Sequence, residues 1–314
     1  MLYYKNLSKQ VKSPIFLIGM PRSGTTIISE SMSVHEDLGW FSNYFTKAQF
    51  FPELNLLNRF ISLPKIGLHI RGQKEQGIGL RPFIKKFLPY CSEASAIWAK
   101  CCGDRFLKDF MINTTARKNE KDRIKSTIQK VLVLQKKNRF LAKLTGPPRM
   151  NYLNSIFPDA FFVHVIRDPR ATVSSLLKSK FWKKGGGFED LWWRNDLSNG
   201  SIKEWIDSDN LPVALGAFQW EQVVNVAWHE AQNIGKKRYI EIHYEDFVAD
   251  PLKTLKNTFD SVGLPDSKNV NRYIQSVRKV RDMNFKFTQN LTSNDIQIIK
   301  NITLNTARKA GYIF

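Results

Sequence analysis

Two clusters of residues in this 314-residue chain have the types and spacing to hold anions. The first is Gly19-Met20-Pro21-Arg22-Ser23-Gly24-Thr25-Thr26, which follows an apolar run and has the two glycines and final threonine of the phosphate-cradling pattern G-x-x-x-x-G-K-[ST]. Thr25 stands where that pattern has its lysine, and the loop's only cation is Arg22. In nucleotide triphosphatases the lysine reaches the β- and γ-phosphates and the next hydroxyl holds magnesium. Backbone N–H groups and a helix N-terminus still supply partial positive charge here, so the loop suits an anion but lacks the usual equipment for a γ-phosphate.

The second cluster is Arg167-Asp168-Pro169-Arg170 with Ser174 and Ser175. Pro169 suits a first helical turn, and Arg167 falls at the carboxyl end of an apolar run, where open α/β sheets bind ligands. Ser175 comes eight residues after Arg167, about two helical turns on, which returns it to the same face.

These residues need a sheet to carry them. Residues 14–19 (PIFLIG), 161–166 (FFVHVI) and 239–243 (YIEIH) are continuous apolar runs of the kind that strands buried on both faces show, and RFLAK, ending at Lys143 before a Gly-Pro-Pro turn, reads as a further short strand. Polar residues and a helix start follow each long run, so the pattern predicts an α/β fold with a parallel sheet flanked by helices.

Residues 45–138 are less regular. Pro52, Pro64, Gly67, Gly72, Gly77 and Gly79 break them, and a basic stretch over 118–139 then spaces Ile124, Ile128, Val131, Leu132 and Leu134 as an amphipathic helix. The expectation is one domain, 1–314, with a helical insertion over 45–138 that shapes the acceptor site. Residues 181–193 place three glycines among aromatics and read as a mobile loop. Of the tryptophans outside that loop, Trp220 and Trp228 are expected in the core.

The chain is 42% hydrophobic and carries a formal net charge of +20. That excess implies an anionic partner: a phosphorylated cofactor, an acidic glycan, a membrane surface or nucleic acid. Cys91, Cys101 and Cys102 are an odd number without metal-ligand spacing, which argues against a disulfide framework or zinc site and fits a reducing compartment. The first residues lack a signal-peptide core and no apolar run is long enough to span a membrane, so a soluble cytoplasmic protein is expected, with peripheral membrane contact left open.

The run PRSGTT after an apolar strand resembles the 5′-phosphosulfate loop of the sulfotransferases that use 3′-phosphoadenosine 5′-phosphosulfate (PAPS), in their bacterial or tyrosylprotein-modifying forms. The resemblance implies that Arg22, Ser23, Gly24, Thr25 and Thr26 grip the donor's 5′ end. It likewise implies that Arg167 and Ser175 hold the 3′-phosphate, and that Lys143 neutralises charge on the transferring group and the leaving phosphate. Tyr244, in Tyr244-Glu245-Asp246-Phe247, is similar to the tyrosine that contacts adenine; Asp250-Pro251 and Val262-Gly263-Leu264-Pro265 follow it in the family's order. The match covers about 14–35 and 139–266. It implies PAPS as donor without a metal, and a hydroxyl or amine of a small molecule or carbohydrate as acceptor; nucleic acid is not expected.

Two positions depart from the family. Cytosolic members have a histidine two residues after the lysine, where this chain has Thr145; protein-tyrosine sulfotransferases have a glutamate about twenty residues past the loop, where this chain has Ser42-Asn43. Neither type takes a proton near neutral pH, so a base must come from elsewhere unless the acceptor is acidic enough to need little. His35, in the titratable run His35-Glu36-Asp37, is the nearest candidate; His69, Asp104 and Asp109 are others. Two competing readings are an ATP-dependent small-molecule kinase, which would need magnesium, and a non-catalytic binder of anionic polymer, which would show no turnover.

Overall fold

The computed structural model describes residues 10–43, 90–184, 199–207, 209, 211–277 and 280–314. Five parallel strands, Ile15–Gly19 (β1), Leu38–Trp40 (β2), Arg139–Thr145 (β3), Phe161–Ile166 (β4) and Tyr239–His243 (β5), form one sheet in the order β2-β3-β1-β4-β5. β1 lies at its centre with all five residues buried, which is why it reads as an unbroken apolar run.

Alternation along the strands feeds two cores. Phe16, Phe140 and Phe162 face the helices Lys118–Gln135 and Met150–Ile156 through Ile124, Ile128, Leu153 and Ile156. Leu17, Leu141 and Val163 face the helices Thr25–Met32 and Pro251–Val262 through Ile28, Met32, Leu255 and Phe259. Each such side chain contributes about 1.5–3 kcal/mol on burial, so the sheet's position is firmly set.

Register decides where the chemistry falls. Gly19 sits opposite Thr145 on β3 and Val165 on β4, and Ile166 sits opposite His243 on β5. The carboxyl ends of these four strands therefore finish level, and the residues that follow them share one edge. Gly19 has φ +150°, and a Cβ there would lie 2.5 Å from the Val165 carbonyl oxygen, so the end of the central strand needs glycine.

The helical insertion expected over 45–138 is described only from residue 90. There the helix Lys118–Gln135 packs against the sheet and shares a core with Phe16, Phe140 and Phe162. The glycine-rich run 185–193 and His69 lie outside the described residues. Trp182 and Trp220 are fully buried, whereas Trp228 is half-buried, its Nε1 donating to Glu241 at 2.6 Å with Lys309 over its ring. All three cysteines are buried and none is in a disulfide. Among the described residues no helix is long and apolar enough to cross a membrane.

Candidate functional site

The turn after β1 is held from inside. The Ser23 N–H and hydroxyl both donate to the Met20 carbonyl, at 3.1 and 2.7 Å. Ser23 thus braces the loop and is buried, in contrast to the ligand-gripping place the resemblance gives it. Gly24 follows at φ +94° as N-cap of Thr25–Met32, and no side chain caps that end. The first N–H groups of this helix are left for an anion, with the hydroxyl of exposed Thr26 beside them.

Gly24 is required for a second reason. A Cβ there would overlap the Tyr244 ring, 2.8 Å from Cε2 and closer still to Cδ2. Tyr244 leaves β5 at the sheet's carboxyl edge, and its ring also lies 4.3 Å beneath the Arg167 guanidinium. The ring is thus buried as a wedge between the loop and Arg167, and its hydroxyl donates to the Arg281 carbonyl at 3.4 Å.

Arg167 leaves β4 beside it. Its Nη1 donates to the Arg22 carbonyl at 2.9 Å and its Nε to Asn284 Oδ1 at 2.8 Å. Among the described residues nothing accepts from Nη2. Burial lowers the pKa of this guanidinium from its ordinary value, while Tyr244, Glu245 and Asp168 oppose the shift. The side chain is only 6% exposed yet still carries unused donors, which suits a phosphate. Ser175, two turns along the helix Pro169–Leu177, accepts from Arg22 Nε at 2.9 Å. The loop's cation and the serine expected at the opposite end of the nucleotide therefore touch.

Lys143 sits opposite Leu17, two residues before the level of Gly19 and Thr145 on the neighbouring strand, and its Nζ reaches Thr26 Oγ1 at 3.2 Å. The same Nζ is 3.0 Å from Glu93 Oε1, which also accepts from the Thr145 hydroxyl at 2.9 Å. Glu93 is a functional candidate that sequence reasoning passes over. It sits at the lip of an irregular stretch, anchored by Ser42 bridging Cys91, by Asn43 Oδ1 accepting from the Tyr90 N–H, and by the Ser92 N–H donating to Phe41 O. Only these long-range contacts bring its half-exposed carboxylate to the loop, so no local signal marks it.

His35 belongs elsewhere. It is 1% exposed, its Nε2 faces the Pro265 carbonyl at 2.9 Å, and its Nδ1 accepts from the Asp37 N–H at 3.1 Å. With both ring nitrogens engaged it has no lone pair left for a substrate proton. Glu36 accepts from Ser267 Oγ and the Asn269 N–H, and Asp37 Oδ1 accepts from Asn138, so the whole run fastens the helix end. Asp109 gives its carbonyl to Arg149.

A sequence model described as the Sulfotransferase family matches residues 14–268. Protein-tyrosine sulfotransferase A of Caenorhabditis elegans is 23% identical over 158 residues, 50% of this chain and 34% of that protein. The protein-tyrosine sulfotransferase of Drosophila melanogaster is 24% identical over 159 residues, 51% of this chain and 27% of that one. The matched part thus spans about a third of the length of these curated relatives. Among solved structures, sulfotransferase STF9 from Mycobacterium avium superposes with a TM-score of 0.59 at 15% identity, covering 95% of this chain and 77% of that one. STF1 from Mycobacterium tuberculosis H37Rv gives 0.53 at 15% identity, over 95% and 78%. These likenesses concern the fold.

Proposed function

The chain belongs to the sulfotransferase family, and from that premise we propose that it moves a sulfuryl group from PAPS to a hydroxyl or amine of a small-molecule or carbohydrate acceptor. The observation that carries this reading is the contiguity of the two anion pockets: Arg167 donates to the Arg22 carbonyl while Arg22 donates to Ser175, so one nucleotide can engage both.

The donor supplies a sulfuryl group bonded through a bridging oxygen to a phosphate that leaves readily. The N-terminal N–H groups of Thr25–Met32 and the Thr26 hydroxyl hold its 5′ end, and Arg167 Nη2 with Ser175 holds the 3′-phosphate. Lys143, beside Thr26, meets the charge that builds on the bridging oxygen as the acceptor–sulfur bond forms and the sulfur–oxygen bond breaks. Glu93 takes the acceptor's proton; Thr145 and Lys143 fix its carboxylate beside the loop, so the base reaches the place left without a histidine from another segment. Tyr244 serves as the wedge between pockets on this reading, and His35, engaged by Pro265 and Asp37, has no part in the proton transfer. Three buried cysteines outside any disulfide support a reducing compartment such as the cytoplasm.

The test is calorimetric titration with adenosine 3′,5′-bisphosphate (PAP), the product left after transfer, against ADP, with and without magnesium. Metal-independent preference for PAP is expected. Tighter ADP binding only with magnesium would replace this reading with the kinase, and PAP binding without turnover would leave a non-catalytic binder.

A further inference from the structure

The residue that aims Arg167 lies beyond the family match, in the segment before the helix Lys286–Asn290. Asn284 Oδ1 accepts from Arg167 Nε at 2.8 Å, and its Nδ2 donates to Glu245 Oε1 at 2.6 Å. Its amide orientation is set by chemistry, because Nε–H can only donate and a carboxylate can only accept. The amide is thus polarised between a buried cation and an anion.

Glu245 is itself held by three segments. Oε1 also accepts the Asp168 N–H at 3.2 Å, at the start of the helix that carries Ser175, and Oε2 accepts from the Tyr312 hydroxyl at 2.8 Å. Burial, with Glu245 adjacent, raises the Tyr312 pKa, so that phenol stays a donor. The Asn284 N–H donates to Asp282 Oδ1 at 2.8 Å, and Tyr244 holds the Arg281 carbonyl, which fixes the backbone on which Asn284 stands. An arginine with four rotatable bonds in a cationic chain is thereby locked through Nε, which leaves Nη2 pointing at no described protein group.

We propose that Asn284, held by Glu245, is a positioning residue that sets Arg167 for a nucleotide 3′-phosphate, and so supplies much of the discrimination between a 3′,5′-bisphosphate and a 5′-monophosphate. This rests on the sulfotransferase reading. Asn284 touches no substrate; it acts through Arg167, and a group that acts through another leaves a non-additive signature.

The experiment titrates PAP and AMP into the wild type, Asn284→Ala, Arg167→Ala and the double variant. In the wild type PAP is expected to bind about 100-fold more tightly than AMP. Asn284→Ala should cut that ratio about tenfold with AMP affinity unchanged, and should cut it no further once Arg167 is gone. Unchanged AMP binding also certifies that the variant is folded. A wild-type preference that survives Asn284→Ala, a parallel loss of both ligands, or additive effects in the double variant would each overturn the assignment of Asn284. A wild type that binds PAP and AMP alike would overturn the sulfotransferase reading instead.

Discussion

The Arg167 guanidinium and the Arg22 carbonyl are 2.9 Å apart, although 145 residues separate them in sequence. The contact ties the end of β4 to the turn after β1 and makes Arg167 a wall of the loop as well as a donor toward a ligand. Arg167→Ala should therefore lower PAP affinity roughly 100-fold, the scale of two charge-assisted hydrogen bonds, with AMP affected far less. Calorimetry of both nucleotides checks this; an equal loss for each would mean that Arg167 only props the loop.

Gly24→Ala meets two penalties, a left-handed backbone at φ +94° and overlap with the Tyr244 ring. Destabilisation of about 2–4 kcal/mol is expected in chemical denaturation. Adding Tyr244→Ala relieves the overlap but not the backbone, so the Gly24→Ala step should cost less in that background. An identical cost in both backgrounds would refute the wedge.

Glu93→Gln preserves size and the acceptor for Thr145 but cannot take a proton. Turnover should fall roughly 10²–10³-fold with PAP affinity within about twofold. Glu93→Ala should recover activity with added formate. If Glu93→Gln keeps the wild-type turnover, the base is another group.

Glu230 is fully buried on the helix Pro212–Ile234 and accepts the N–H groups of Met150 at 2.8 Å and Asn151 at 3.3 Å. Burial raises its pKa from 4.5 to about 7 despite those bonds and nearby Arg149. A raised folded-state value means that the favourable contribution is complete below the unfolded pKa and is lost as pH climbs through the folded one. Between pH 5 and 8 the wild type should lose up to roughly 3 kcal/mol from this group. Glu230→Gln should match the wild type near pH 5 and melt higher at pH 8. Parallel melting curves across that range would contradict this.

The inner strands β1 and β4 were legible because their burial on both faces leaves continuous apolar runs, whereas β5, at the sheet edge, is only partly buried and leaves Glu241 exposed. PIFLIG, FFVHVI and YIEIH become β1, β4 and β5, each delivering its site residues at the carboxyl end. The amphipathic stretch became the helix Lys118–Gln135 through the spacing of Ile124, Ile128 and Val131. The three-residue edge strand β2 was too short to leave a pattern. Glu93 and Asn284 were illegible for a related reason: each is placed by contacts to distant segments, and local residue types say nothing about those. His35 misled because a titratable ring near the loop in sequence is, in space, turned toward Pro265 and Phe259.

Tyr244 has one further consequence. A rigid aromatic plate inserted between two charged recesses acts as a caliper, since neither recess can approach the other without compressing the ring. On the proposed reading, ligands are then selected by the distance between their anionic ends as well as by total charge. A nucleotide with the same charges on a different ribose carbon would satisfy one recess and strand the other.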